Sequence, residues 1–345
     1  MTSLRLTSLH VRKFSTPQSV DERNALCFGN RPSHPAPVRT VMSAVCRLWS
    51  RRAAPVSVAG ARSFCLGLVR MNRASNDRSA TVNLTYDVFD GKGEKTPLVF
   101  LHGLFGCKSN FHSIAKSLVQ RTGRKVLTVD ARNHGNSPHS PILTYEAMTN
   151  DLQHLLSQLR IGKCVLIGHS MGGKVAMTTA LLQPNIVERL VVVDISPAHT
   201  SVHTNFHTYI RALKEVKVTG NLPRSTARRL AEDQLRKHIK EHTVRQFLLT
   251  NLVEQNGDYA WRVNLEAISN HMEDILNFPE FNQCYNGPTL FLGGNNSDYI
   301  TSEDYPEIQR LFPNADIQYI PDASHWIHAD KPLDFISSII TFLQS

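Results

Sequence analysis

Ser170 stands in the run VLIGHSMGGKVAM, Val165 to Met177, with Gly168 two residues before it and Gly172 two residues after. A serine hydroxyl attacks a carbonyl only when a base takes its proton, an acid orients that base, and hydrogen-bond donors receive the charge that develops on oxygen. The Gly-x-Ser-x-Gly spacing suits such a serine, because small neighbours let the chain turn sharply and hold the hydroxyl out on a strained backbone. By composition alone the pattern should occur about 0.1 times in a chain of this length, so its surroundings decide what it means. An apolar run, VLI, lies directly before it and a helix-compatible run, KVAMTTALL, directly after, which is the strand, elbow and helix that a nucleophile needs. The base is read as His325, in the loop Pro321-Asp322-Ala323-Ser324-His325-Trp326, where it follows the last strand and can swing over the sheet edge. His328, its neighbour, reads as structural.

These residues must be held by a sheet. Pro97 to Leu101, Lys125 to Val129, Val165 to Ile167 and Arg189 to Val193 are continuous apolar runs, which marks strands covered on both faces. Between them the spacing predicts helices over Asn110 to Gln120, Tyr145 to Leu159 and the segment after Ser170. Alternation from Val82 to Val88 predicts an opening strand. This order implies an α/β fold, a mostly parallel sheet with helices on both faces. After Asp194, at the end of the sixth strand, the alternation stops. Residues 200–280 show helical periodicity and no strand pattern, with helices expected over Phe206 to Val216, Ser225 to Ile239, Thr243 to Leu252 and Leu265 to Leu276. A helical cap over about 198–285 is therefore expected, inserted after the sixth strand. The sheet resumes with Pro288 to Leu292 and Ile317 to Ile320, separated by a helix near Tyr305 to Leu311, and Pro332 to Leu343 closes the chain as an amphipathic helix.

The chain has 345 residues, 41% of them hydrophobic, enough for a large core, and a formal charge of +9. That charge sits at the front: residues 1–76 hold twelve Lys or Arg against Asp21 and Glu22, leaving residues 77–345 at about −1. A basic groove for nucleic acid is not supported. The front segment is rich in Arg, Ser and Ala and lacks acids between Arg23 and Asn76, the composition of a mitochondrial transit peptide. Residues 1–76 are read as that targeting and disordered basic segment, with Met1 or Met42 as the start, and 77–345 as the one domain that carries Ser170 and the cap. Cys107, Cys164 and Cys284 are the only cysteines in the body, without paired spacing, which agrees with a reducing compartment such as the matrix. No cofactor or metal is expected.

Together HGLFG at 102–106, DARNHGNS at 130–137, GHSMGG at 168–173 and the final SHW around His325 resemble the α/β-hydrolase superfamily across residues 80–345. More closely, these segments with VDISP and WRVNLEAI resemble its vertebrate mitochondrial members and their small bacterial esterase relatives. Asn133 stands where the superfamily's common D-x-R-G-H-G-x-S has its first glycine. The resemblance implies an α/β-hydrolase fold and catalysis by Ser170 and His325 through an acyl-enzyme. It also implies an oxyanion hole made by the backbone N–H groups of Leu104 and Met171.

Three carboxylates lie in the order serine, acid, histidine, and the resemblance leaves all three open. Asp298, in GGNNSDY, is at the superfamily's usual place; Asp194 matches the bacterial esterases; Glu266, in WRVNLEAI, matches the vertebrate assignment, where aspartate is typical. Asp194 ranks first because it sits on a rigid strand beside the elbow, followed by Glu266 and then Asp298. An apolar cap suits an acyl chain better than a sugar or phosphate, and the resemblance points to acylglycerols, with sn-1 cleavage of diacylglycerol. Thr200 to Thr250 holds ten Lys or Arg against four acids, which reads either as a peripheral contact with anionic lipid or as a solvated helix face. Two alternatives follow from the same resemblance: a matrix partner that protects the lipoylated 2-oxoglutarate dehydrogenase complex, and a thioesterase.

Overall fold

Runs of Val, Leu and Ile with no polar alternation need cover on both faces, and the chain supplies it with one large sheet. The computed structural model describes residues 81–200 and 205–345 together with the backbone of Val11–Lys13. The targeting reading of 1–76 otherwise lies outside the described residues. Strand order is β1 (Val11–Lys13), β10 (Ala315–Ile320), β9 (Thr289–Gly294), β6 (Val187–Val193), β5 (Cys164–His169), β3 (Leu98–Leu101), β4 (Val126–Val129) and β2 (Tyr86–Phe89). All neighbours pair in parallel except β2 with β4. Every residue of β3, β4, β5 and β9 is buried.

Each face of the sheet carries its own core. On one, α1 (His112–Thr122) and α11 (Pro332–Gln344) pack Ile114, Leu118, Phe335 and Ile339 against Phe100, Val165 and Ile167. On the other, α2 (Tyr145–Gln158) and α3 (Met171–Leu182) pack Met148, Leu152, Val175 and Ala176 against Val99, Leu166 and Val192. Helix α3 is buried almost throughout.

The opening strand is shorter than the alternation from Val82 predicts. Val82 instead gives its N–H to Asp151 Oδ1 (2.8 Å), and pairing starts only at Tyr86. That aspartate also receives both Nε and Nη2 of Arg132, at 2.6 and 2.7 Å, in a pair that is 1% exposed on each side. Asp130 is equally committed, accepting from Lys108 N and Nζ, Thr85 Oγ1 and Asn136 N. Burial pushes its carboxyl up, but the bonds from Asn136 and Lys108 outweigh this and hold it below the ordinary carboxylate value. The DARNHGNS motif therefore acts as a structural lock. Asn133 adopts φ 66°, a left-handed conformation that asparagine tolerates. Unlike a glycine, it uses its side chain there: Oδ1 accepts from Ser140 N and from Asn264 Nδ2 of the cap.

Between β6 and β9 lies the cap: α4 (Phe206–Glu215), α5 (Arg224–Leu235), α6 (His242–Leu248), the hairpin β7 (Leu252–Gln255) and β8 (Asp258–Trp261), α7 (Leu265–Asn270) and α8 (Met272–Leu276). Ala227, Ala231 and Leu235, four residues apart, form the buried stripe of α5. The hairpin corrects the expectation of an all-helical insertion. Its turn, Asn256 at φ 55° and Gly257 at φ 86°, has the two successive left-handed residues of a tight hairpin loop. The helix expected from Leu265 to Leu276 is broken at His271, whose Nε2 bonds the Pro141 carbonyl and whose Nδ1 meets Asp274. After α8 the chain returns to the sheet, crosses α9 (Tyr305–Leu311) and reaches α10 (Ile327–Asp330) beyond the last strand. None of the helices among the described residues is long and apolar enough to cross a membrane.

Candidate active site

Ser170 follows β5 directly, at φ 55° and ψ −121°, and its N–H bonds the Val193 carbonyl of the next strand at 3.0 Å. Such a conformation costs of order 1–3 kcal/mol for a residue with a side chain. The close turn explains the flanking residues: a Cβ on Gly168 would sit 2.1 Å from the Gly172 carbonyl oxygen, and one on Gly172 would sit 2.4 Å from that of Leu101. Only hydrogen fits at either point, so the elbow packs β5, α3 and β3 into one corner.

Next along the sheet, β6 ends in Asp194, at φ 50° and 1% exposed. Its Oδ1 accepts from Gly294 N at 2.9 Å; its Oδ2 accepts from Ser297 Oγ at 2.5 Å and from His325 Nδ1 at 2.8 Å. With the Nδ1 hydrogen given to Asp194, His325 keeps Nε2 as an acceptor. Tyr299 stacks on the imidazole with centroids 3.8 Å apart and an interplanar angle of 20°. His169, the residue before the serine, holds the backbone of the same loop by donating Nε2–H to the His325 carbonyl at 2.8 Å. Burial first, and then His325 and His328, push His169 well below the ordinary histidine value, so it stays neutral in that role.

Of the three carboxylates, Asp194 alone touches His325. Glu266 projects to solvent from α7, 72% exposed, and is paired with Lys214 Nζ at 2.7 Å; that hydrogen bond and charge keep its carboxyl below the ordinary value. It lines a separate surface hollow with Asn264 and Asn270, not the cavity that contains Ser170. Its contact with Lys214, and its place in a hollow that His325 does not line, speak against Glu266 as the acid. Asp298 is exposed, and the loop that carries it contributes Ser297 instead. Gly294, Ser297 and Tyr299 lie in GGNNSDY and His169 in GHSMGG, but neither run marks by itself what these four residues do: each is singled out only by its contact with Asp194 or His325.

The loop after β3 faces the elbow. His102 donates Nδ1–H to the Gly103 carbonyl (2.8 Å) and accepts from Ala131 N at Nε2 (3.1 Å), so the loop is tied both to itself and to the chain after β4. Leu104 follows, and Phe105 turns at φ 62° with its carbonyl bonded to Asn251 Nδ2 of the cap. The N–H of Leu104 meets no acceptor among the described residues, and that of Met171, first in α3, has none within its helix. Leu104, Ser170 and Met171 line one small cavity together.

A cavity of about 290 Å³ opens above the serine. Phe206, Tyr209, Val244, Phe247 and Leu248 of the cap form its roof, with Trp326 at one side. Its size is near the lower end of ligand pockets, ~300–1,000 Å³. His328 also lines it, packed on Phe111 and His169, and burial lowers it to about 4. The lining is mainly apolar; polar groups gather around Ser170, and Glu241, just before α6, adds a carboxylate on the cap side.

A serine on an elbow, a histidine beyond the last strand and a carboxylate between them, all at the carboxyl ends of parallel strands, define a hydrolase of the α/β class. The chain belongs to the alpha/beta-hydrolase family, and within it to the carboxylic ester hydrolases: the family's model, described as alpha/beta hydrolase fold, matches residues 96–332. It is 76% identical over 311 residues to a Danio rerio protein named sn-1-specific diacylglycerol lipase ABHD11, covering 88% of this chain and 98% of that one. A Xenopus tropicalis protein of the same name is 61% identical over 264 residues, 76% of this chain and 83% of its own. Among solved structures, a marine microorganism esterase superposes with a TM-score of 0.71 at 34% identity, covering 76% of this chain and all of that one.

Proposed function

We propose that the chain is a lipid esterase that cleaves diacylglycerol at the sn-1 ester through Ser170, His325 and Asp194. The observation that carries this reading is the Asp194–His325 contact at 2.8 Å, beside a serine that opens into the same apolar cavity. His325 Nε2 takes the Ser170 proton as Oγ attacks the ester carbonyl, and Asp194 stabilises the imidazolium that forms. The N–H groups of Leu104 and Met171 receive the oxyanion. Collapse of the tetrahedral species expels the alcohol, which takes its proton from His325, and leaves an acyl-Ser170 ester. Water then attacks, with His325 again as base, and releases the fatty acid. The apolar roof favours an acyl chain over a charged substrate, and the names of the Danio and Xenopus relatives support diacylglycerol.

Replacing Ser170 with Ala tests this. The variant should retain its melting temperature while losing fluorophosphonate labelling and all release of fatty acid from diacylglycerol. Labelling that persists in the variant would remove Ser170 from the mechanism; wild-type activity on short esters only would remove diacylglycerol from it. The matrix location proposed from the Arg-rich front has its own test. A fluorescent protein fused to residues 1–76 should enter mitochondria, and a uniform cytosolic signal would refute it.

A further inference from the structure

Lys174 lies one turn beyond Ser170 on α3, and its side chain is 1% exposed, rare for a lysine. Its ammonium faces four oxygens: the Leu276 carbonyl at 2.7 Å, Thr200 Oγ1 at 2.8 Å, the Ala198 carbonyl at 2.9 Å and the Asn277 carbonyl at 3.1 Å. Two of these belong to the stretch by which the chain enters the cap, and two to the stretch by which it leaves. The stretches also meet each other through Thr200 N to the Leu276 carbonyl, at 2.8 Å, and His199 Nδ1 with Asn277 Oδ1, at 2.7 Å. A neutral polar residue could bond one or two of these oxygens; three donors on one compact tetrahedral head suit the whole set. Burial pulls the Lys174 amine down to about 7, with Asp304 acting the other way. Nothing in the ester chemistry uses this lysine, and its head group is directed away from the sheet into the base of the cap.

The position matters for the substrate cavity. Six residues after Thr200 comes Phe206, which lines the large cavity and also a smaller one shared by Ser170, Lys174, Thr200 and Leu276. On the exit side, Tyr145 Oη donates to the Ile275 carbonyl at 2.6 Å and ties that stretch to α2. The entry stretch is fastened to the nucleophile's helix by Lys174.

We infer that Lys174 is a positioning residue that clasps both stems of the cap to the nucleophile helix, and that it thereby sets the roof over the acyl chain and the enzyme's selectivity for long-chain esters. A roof held in place binds each methylene without first being ordered; a loose roof loses that gain, and the loss grows with chain length. The inference rests on the esterase reading for its kinetic readout and on geometry alone for its structural one.

The test compares Lys174→Met, Lys174→Arg and Thr200→Val with the wild type on p-nitrophenyl butyrate and p-nitrophenyl decanoate, with kcat and KM resolved, and measures hydrogen exchange of the stem amides. In Lys174→Met the decanoate-to-butyrate ratio of kcat/KM should fall about tenfold, mainly through KM for the long ester, as expected for lost pre-organisation. The Thr200 and Asn277 amides should exchange faster. Thr200→Val, which removes one acceptor, should shift both readouts less in the same direction, and Lys174→Arg should recover part of the ratio. Equal losses on both esters, or unchanged exchange at the stems, would overturn the inference. Should Lys174→Met not fold, Thr200→Val decides it by the same two readouts. A wild type that hydrolyses neither ester would refute the esterase reading, while the exchange comparison would still test the clasp.

Discussion

Three donors converge on the Asp194 carboxylate, from Gly294 N, Ser297 Oγ and His325 Nδ1, so the acid is fixed before any substrate arrives. Asp194→Asn should reduce turnover by about 10⁴ with little change in melting temperature, because the amide favours the wrong imidazole tautomer and cannot stabilise the imidazolium. Glu266→Gln removes only an exposed ion pair with Lys214, and Asp298→Asn alters an exposed side chain, so both should stay within about twofold of wild type, as exposed pairs contribute little. Ser297→Ala lies between, since one hydrogen bond to a charged acceptor contributes about 1.5–3 kcal/mol, a rate loss of ten- to a hundredfold if it is lost at the transition state. Steady-state kinetics of the four variants on one short ester and one diacylglycerol separate these outcomes. A large loss in Glu266→Gln with a small one in Asp194→Asn would reverse the assignment. At this scale the serine and histidine were legible because each sits in a local motif. The acid was not separable by motif, since its contact spans 131 residues of chain and each of three carboxylates occupies a position the superfamily uses.

The elbow is the element with least room. Gly168→Ala would bring a methyl to 2.1 Å from the Gly172 carbonyl oxygen, where the contact is backbone and no rotamer can relieve it. The variant should be insoluble or lose several kcal/mol in urea denaturation, as strain at a fixed turn predicts; an enzyme melting at the wild-type temperature would show that the elbow can move. The strands on either side were legible because their apolar runs are unbroken. The apolar pattern of the cap predicts no hairpin, although Asn256-Gly257 is the strongest short-range signal for one. The reason is physical: of the two strands only Leu252 is buried, and β8 is at most half-buried, so the pair shows no continuous apolar run to read. The break at His271 was hidden for a related reason. It is set by a bond to the Pro141 carbonyl, and no helical period reports a partner 130 residues away.

Across the whole molecule, histidines gather on the same side of the sheet as the site. Burial, then repulsion from His102, lowers His134 to about 3; burial, then His325, lowers His328 to about 4. His102 and His169 are lowered as well, with burial the leading cause in each. The unfolded chain takes up protons at these residues near pH 6.5, whereas the folded chain does so only at the lower values. Between those limits the unfolded state binds more protons, so stability rises with pH and is lost as pH falls from 6.5 toward 4. Each such histidine contributes a slope of at most about 1.4 kcal/mol per pH unit, and four together make the fold acid-labile within a window where carboxylates are still ionised. Thermal melts between pH 7.5 and 4.5 should show a steep fall in Tm beginning near pH 6.5. His134→Gln, which keeps a donor for the Arg132 carbonyl that His134 Nδ1 now bonds at 3.0 Å, should reduce the steepness by about one proton's worth. A Tm that holds constant from pH 7 to 5 in the wild type would mean that these histidines are protonated in the folded protein, and that their burial exacts no cost in acid.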